Sequence, residues 1–311
     1  MGILSRLILE AGKQGIELAL FVILPIMLVM FTVIRLLERM GVMRVLVRVF
    51  EPILKPFGVP GLGVVAMLQM LLVNFAAPMS TLSIMDQSRV SDRHLAATFA
   101  LVLCLPQANV VFPLAPFGLN VVATWVIGLV GALTAAAFTF YLFMPKDSDS
   151  TSELEPIQDY DQPASESLLD MIRSVGKESW ELAFGAIPFL VLTLLMVGLL
   201  DKTHVTTLLT ALFAPVFGIF SINSQIFLPV LTKFIAGGTA MFGVLVSFLD
   251  QNLVSILDVN RIAGLIIHPL DLAGIAILTA AGPRLPRLLL PAAAGAGIGI
   301  AVRTMLHLLW F

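Results

Sequence analysis

The sequence predicts an all-α integral membrane protein made of two inverted repeats, on the basis of composition, long apolar runs and an internal duplication. Apolar residues make up 59% of the 311 and charged residues 12%, which leaves too little polar surface for a soluble protein of this size. A helix needs about 20 apolar residues to cross a membrane. Residues 16–37, 95–114, 120–144 and 182–200 meet or approach that length, and 262–280 and 288–302 are further candidates.

The internal duplication divides the chain. Segments 12–19 and 176–183 share five identical residues at an offset of 164, and Pro106 matches Pro269 at an offset of 163. We therefore predict a first repeat at 1–144, a polar, acidic linker at 145–166 and a second repeat at 167–311. The linker is rich in Asp, Ser, Glu and Pro, a composition typical of mobile connectors. Membrane transporters are often built from such repeats, with the binding site where the repeats meet.

Amphipathic stretches open both repeats. Apolar residues fall on one helical face in 1–14 and again in 168–175, which predicts helices at the membrane interface. A further stretch at 40–49 alternates apolar residues with arginines, and we expect it to lie in the interface as well. Each repeat is thus predicted to hold an interfacial amphipathic helix and three spanning helices.

A re-entrant helical hairpin is predicted in each repeat. In the first, residues 62–73 and 82–85 are apolar legs too short to span alone, with a polar tip at 74–81. The second has legs at 222–235 and 241–249 and a glycine-rich tip at 236–239. Non-helical backbone at membrane depth is tolerated only inside protein or beside a watery cavity. Glycines at such a tip either admit a ligand close to the backbone or let helices pack closely.

Proline then interrupts the helix that follows each hairpin. Pro106 precedes Gln107 and Asn109, and Pro269 lies between His268 and Asp271. Proline frees a backbone carbonyl, so a broken helix offers exposed dipoles to a ligand. Polar groups in a span usually face the protein interior with a partner. His268 and Asp271 are therefore expected to bind substrate, to carry a coupling proton, or to pair with each other.

The topology follows from three crossings in each half, which place the second repeat upside down relative to the first. Under this model, twelve of the eighteen Lys and Arg residues lie on one side, which is then cytoplasmic. The other six are Arg6, Lys13, Lys202, Lys233, Arg261 and Arg303. We expect a multi-pass protein of the cytoplasmic (inner) membrane.

The repeated order of amphipathic helix, span, interfacial helix, hairpin and proline-broken helix resembles the nucleoside-recognition (Gate) domain family. That family is similar to the core of concentrative nucleoside transporters, to spore-maturation proteins A and B, and to the membrane half of ferrous-iron transporter B. The resemblance covers about residues 1–310 and rests on layout. It implies a substrate site made of Asn74, Ser80, Thr81, Gln107, Asn109, Gly238, Thr239, His268 and Asp271.

The predicted function is secondary transport of a small polar solute, such as a nucleoside, by alternating access between the hairpin tips and broken helices. The chain lacks the extra scaffold helices of full nucleoside transporters and shows no clear match to their Gln and Glu pairs. Two alternatives are a non-transporting membrane subunit and a metal-ion permease, although the lone Cys104 is a poor metal site.

No catalytic motif occurs, so we predict no enzyme activity. No cofactor is expected, and the coupling ion would be H⁺ or Na⁺. Expected partners are the solute, membrane lipid, and either further copies of the chain or another membrane subunit. The net charge of −2 argues against nucleic acid.

Overall fold

A computed structural model describes residues 3–88, 90–145, 167–202 and 222–311, with residues 212, 215, 217, 218 and 220 between the last two ranges. Six helical stretches within these residues are long and apolar enough to cross a membrane. They are Leu4–Arg39, Asp92–Phe117, Val121–Phe143, Leu168–Leu199, Ser224–Asp250 and Leu285–Trp310. The chain is thus an all-helical, multi-pass membrane protein. Residues 146–166, nearly all of the predicted linker, lie outside the described residues.

The α-helices are numbered here in chain order. They are α1 (Ile3–Glu17), α2 (Leu24–Arg39), α3 (Val42–Leu54), α4 (Gly61–Leu72), α5 (Pro78–Gln87), α6 (Asp92–Cys104), α7 (Ala108–Leu114), α8 (Val121–Phe138), α9 (Leu168–Lys202), α10 (Phe227–Asp250), α11 (Ile256–Ile266), α12 (Leu272–Thr279) and α13 (Leu285–Trp310).

The amphipathic segments at the start of the two repeats are helical, and each runs directly into a long apolar helix. α1 continues through a π-helical turn, Leu18–Ile23, into α2, and Pro25 lies just after that turn. Because proline has no N–H, it cannot complete the normal hydrogen bond to the preceding turn, and π-bulges relieve such mismatches. In the second half α9 is one continuous helix with Pro188 inside it. α9 packs along both α1 and α2.

The predicted interfacial segment at 40–49 belongs to α3. Gly41 has φ 76°, a left-handed turn that ends α2 and redirects the chain. Along α3, Val45 and Val49 are exposed while Met43 and Leu54 are buried, as expected of an amphipathic helix. The stretch Val42–Phe57 then meets Gly61–Leu72 at a bend of 111°.

The first predicted hairpin is formed by α4 and α5, which pack against each other around a tip at residues 73–77. Inside it, the Thr81 hydroxyl donates a hydrogen bond of 2.8 Å to Gln69 Oε1. This bond joins the two legs and gives the buried Thr81 hydroxyl a partner.

The second predicted hairpin is α10, which breaks at Gly237, where φ is 87° and ψ is 177°. Asn223, just before α10, donates a hydrogen bond of 2.8 Å to the carbonyl of Leu253, just after it. A straight helix of this length would hold its ends about 36 Å apart. α10 therefore folds back at Gly237, although its length and composition alone would suit a straight span.

The broken helices follow the hairpins at matching places in the two halves. α6 and α7 are separated by 105–107, and α11 and α12 by 267–271. Each pair leads to a long helix, α8 or α13, and α13 packs on α6, α8 and α11. Small residues let α8 and α13 approach closely, since a Cβ at Gly299 would lie 2.3 Å from the Gly131 carbonyl oxygen. The inverted orientation of the second repeat stays a prediction.

Candidate functional site

Both hairpin tips and both helix breaks line one small cavity of about 110 Å³. The first hairpin contributes Phe75 and the first break contributes Gln107. The second hairpin and second break contribute most of the rest of the lining, which is Ala236, Gly237, Gly238, Thr239, Asp271, Ala273 and Ile277, with Phe189 from α9. Four of the nine predicted site residues, Gln107, Gly238, Thr239 and Asp271, therefore lie together.

Gln107 presents a free amide to this central cavity. The side chain is 2% exposed, and no described residue forms a hydrogen bond with it. Gly238 packs on it from the second hairpin, where an added Cβ would lie 2.7 Å from Gln107 Oε1. An unpaired buried amide costs about 1–3 kcal/mol. A ligand with both a donor and an acceptor would therefore supply the hydrogen bonds that the Gln107 amide lacks.

Asp271 is the cavity's carboxylate, and it is paired. Its Oδ1 accepts a 2.7 Å hydrogen bond from the Gly274 N–H, capping the N-terminus of α12. Its Oδ2 contacts the ammonium of Lys233, which lies on the first leg of the second hairpin. Both side chains are almost completely inaccessible to solvent. The ion pair therefore ties the hairpin to the helix break.

His268 and Asp271 do not pair with each other, so that alternative from the sequence is wrong. The His268 ring bonds to backbone instead, with Nε2 2.8 Å from the Leu265 carbonyl oxygen and Nδ1 3.1 Å from the Leu270 nitrogen. These bonds satisfy groups that the interruption between α11 and α12 leaves open. The residue that meets Asp271 is Lys233, whose position 38 residues earlier becomes adjacent only because α10 folds back.

Asn74 and Asn109 organise the first hairpin tip, whereas Ser80 and Thr81 lie on the second leg of that hairpin. Asn74 Oδ1 accepts hydrogen bonds from the nitrogens of Ala76 and Ala77, at 2.9 and 2.8 Å. Asn109, in α7, accepts a 3.3 Å bond from the nitrogen of Phe75. Thr81 is held inside the hairpin by Gln69 and does not line the central cavity. The tip is thus anchored to itself and to the first broken helix.

Two larger cavities have linings that correspond between the repeats. The first, of about 550 Å³, is lined by Asn74, Ala76, Ala77, Met79, Ser80, Ser83, Glu178, Ala280 and Ala281. The second, of about 420 Å³, is lined by Gln14, Glu17, Leu18, Phe21, Val22, Phe117, Val246, Ser247, Asp250 and Gln251. Glu178 matches Gln14 at the offset of 164, and Ser83 matches Val246 at 163. We call them the Glu178 cavity and the Gln14 cavity.

Comparison with known proteins bears on the first half of the chain and on the fold as a whole. Residues 20–125 match the family model described as Gate, nucleoside recognition. This part of the chain is thus similar to Gate domains. The matched residues include α2, the first hairpin and the broken helix α6–α7, which are the elements that bring Phe75 and Gln107 to the central cavity. The comparison with curated proteins found no significant match.

Solved structures of CNTnw share the whole fold. In an inward-facing, substrate-bound state, CNTnw aligns with a TM-score of 0.70 at 14% identity, covering 98% of this chain and 82% of that one. A double variant of CNTnw in an outward-facing state also gives 0.70 at 14% identity, covering 99% and 85%. A variant in an intermediate state gives 0.60 at 14% identity, covering 99% and 86%.

Arg303 is a further buried cation, and it lies near the first helix break. It lies in α13, is 0% exposed, and donates from Nη1 to the carbonyl of Cys104, the last residue of α6. The sequence-based topology placed Lys233 and Arg303 among six charges on one side of the membrane. The structure buries both inside the protein, so neither counts as a charge exposed on one side of the membrane. The sequence signal for their burial is their position within apolar stretches, because a charge in a membrane span costs free energy and usually has a partner inside the protein.

The described residues contain no cluster of three or more His, Cys, Asp or Glu side chains suited to a metal ion. Cys104 is buried. Its backbone carbonyl accepts a hydrogen bond from Arg303 at the first break. The geometry of the described residues therefore gives the metal-ion permease no specific support.

Proposed function

We propose that this protein is a secondary transporter for a small polar solute, which binds in the central cavity between the two hairpin tips and the two helix breaks. The observation that carries the proposal is the convergence of Gln107, Gly238 and Asp271, from three separate elements, on one buried cavity. Secondary transporters bind their solutes at such interfaces between discontinuous helices. We further propose that the protein acts in the cytoplasmic membrane.

The lining favours a solute that combines hydrogen-bonding groups with a flat apolar face. Gln107 offers a donor and an acceptor, and Thr239 offers a hydroxyl. Phe75 and Phe189 add aromatic rings, against which a planar ring can stack. Asp271 is already neutralised by Lys233, which favours an uncharged solute. A nucleoside or nucleobase has these properties, in keeping with the nucleoside-recognition description of the Gate family.

The cavity must open for transport. At about 110 Å³ it is smaller than the range of about 300–1,000 Å³ that is usual for ligand pockets. Gly237 gives the second hairpin a tip that other residues would strain, and the tip is held to α12 by the Lys233–Asp271 contact. We infer that movement of this hairpin enlarges the site.

The Glu178 and Gln14 cavities are proposed as the two access routes. Each is built from the second leg of a hairpin, a helix from the opposite repeat and the end of a broken helix. If the repeats are inverted, these matching cavities open on opposite membrane faces, as alternating access requires. Similar alignment to inward-facing and outward-facing CNTnw fits a fold that can hold either state.

The test is uptake into proteoliposomes that contain only the purified full chain, with labelled nucleosides, nucleobases and ferrous iron supplied under imposed proton or sodium gradients. We expect saturable uptake of one organic solute that Gln107→Ala impairs. The control is Gln87→Ala, because Gln87 is exposed on the first hairpin and, within the described residues, its side chain bonds only to Ser83. Failure of folded protein to move any solute would contradict transport by this chain alone and favour a partner-dependent subunit.

A further inference from the structure

The two helix breaks share an arrangement that the solute site does not require. In each, a buried basic side chain from another element contacts the polar group that the break exposes. Arg303 contacts the Cys104 carbonyl at the first break, and Lys233 contacts the Asp271 carboxylate at the second. The side chains of Arg303, Lys233 and Asp271 are all buried. The arrangement places two fixed positive charges where a broken helix presents negative polarity.

At the first break, the buried cation takes the position that a bound metal ion holds in other transporters. A helix leaves its last carbonyls without intrahelical partners, and its C-terminal end carries partial negative charge. In transporters with discontinuous helices, unwound carbonyls and half-helix ends of this kind coordinate Na⁺ or H⁺. Here α6 ends at Cys104, and the guanidinium of Arg303 donates a hydrogen bond to the Cys104 carbonyl, where a metal ion would otherwise bind.

At the second break the exposed group carries a full charge. Asp271 would be a strong ligand for a hard cation, because carboxylate oxygens are the ligands such ions prefer. Its Oδ1 caps α12 through the Gly274 nitrogen, and its Oδ2 contacts the Lys233 ammonium. The open carbonyl of Leu265, at the end of α11, is met by His268. Both carboxylate oxygens of Asp271 and the Leu265 carbonyl are therefore already engaged.

We propose that Lys233 and Arg303 are resident cations that take the place of a coupling metal ion, so that the protein neither binds Na⁺ at its helix breaks nor draws on a sodium gradient. The inference about the coupling ion rests on the transporter function proposed above. Whether the protein binds Na⁺, however, can be tested without measuring transport. Electrostatics supports it: Lys233 already balances the Asp271 carboxylate, and Arg303 adds a second buried positive charge at the first break, so an added Na⁺ would meet net positive charge.

The first test measures sodium binding by its effect on thermal unfolding, which requires no substrate. The purified full chain is unfolded in equal concentrations of sodium chloride and choline chloride. We expect equal Tm values for the wild type. Lys233→Met leaves Asp271 without its cation, so sodium should now raise Tm selectively, because an ion that binds only the native state stabilises it. The double variant Lys233→Met/Asp271→Asn removes the ligand as well and should lose the sodium response.

The outcomes are decisive in both directions. A sodium-specific rise in wild-type Tm, or a folded Lys233→Met that shows no such rise, would overturn the assignment. If Lys233→Met does not fold, the wild-type comparison still decides. In proteoliposomes, replacing sodium by choline at a fixed membrane potential should leave wild-type uptake unchanged, and a tenfold loss would refute sodium-independence. Absence of any uptake would instead contradict the proposed function, with the Tm comparison still valid.

Discussion

Lys233 and Asp271 form a buried ion pair between the first leg of the second hairpin and the second helix break. Both side chains are almost completely buried, and Asp271 lines the central cavity. Taking two charges out of water is costly unless the geometry is good and the remaining polar atoms are satisfied. The second carboxylate oxygen is satisfied by the Gly274 nitrogen, so the pair meets that condition on the acid side.

We therefore predict strong coupling between Lys233 and Asp271 in stability measurements. Lys233→Met or Asp271→Asn alone leaves a buried group without its partner and should lower the free energy of unfolding by about 3–5 kcal/mol. The double variant should cost less than the sum of the two. Unfolding of the four proteins in detergent measures this, and additive losses would contradict a direct interaction.

The exposed pair Lys177–Glu181 serves as the control. Its atoms are 3.8 Å apart, and the side chains are 78% and 66% exposed. Exposed pairs contribute about 0–1 kcal/mol, so Lys177→Met should leave stability almost unchanged.

The second prediction concerns the hairpin tip. Gly237 has φ 87° and ψ 177°, a region that is almost exclusive to glycine and costs other residues about 1–3 kcal/mol. An added Cβ would make only ordinary contacts, 3.4 Å from the Ala273 Cβ and 3.6 Å from Asp271 Oδ1. Gly237→Ala should therefore lower stability through backbone strain and also reduce uptake, because the tip lines the cavity.

Gly41→Ala is the matched control for that variant. Gly41 also has positive φ, 76°, but it precedes α3 and contributes nothing to the central cavity. A non-glycine residue in the left-handed helical region costs about 1–2 kcal/mol, so Gly41→Ala should lower Tm while uptake per folded molecule is kept. Equal loss of uptake in both variants would argue against a special role for the second tip.

How much of this site the sequence predicts depends on how far apart the contacting residues are along the chain. Pro106, Pro269 and the glycines at 237 and 238 are local signals, and the structure has breaks or turns at or beside each of them. Contacts across the fold carry no such signal. Arg303 meets Cys104 from 199 residues away. Counting charges by side of the membrane treats such a residue as solvent-facing, although its helix buries it against the first break.

The third prediction separates binding from stability at Gln107. Its amide has no partner within the described structure, so Gln107→Ala removes no intramolecular bond and should leave Tm unchanged or slightly higher. Loss of a substrate hydrogen bond of about 1.4 kcal/mol corresponds to a tenfold weaker interaction, and we expect KM for uptake to rise by about that factor.

Gln69→Ala should show the reverse pattern. Gln69 accepts the Thr81 hydrogen bond inside the first hairpin and does not line the central cavity. Its loss should lower Tm with little change in KM. If Gln107→Ala lowers Tm and keeps KM, the amide is structural and the proposed solute contact is wrong.

The last prediction tests whether the repeats are inverted, using the two larger cavities. Ser80 lines the Glu178 cavity and Gln251 lines the Gln14 cavity, and both residues are exposed. In a Cys104→Ala background, Ser80→Cys and Gln251→Cys should react with a membrane-impermeant thiol reagent from opposite faces of the membrane, because the three crossings predicted for each half would turn the second repeat over. Wild-type Cys104 is 0% exposed and should stay unreactive from both faces. Reaction of both introduced cysteines from the same face would exclude the inverted arrangement, and with it the assignment of these cavities as opposite access routes.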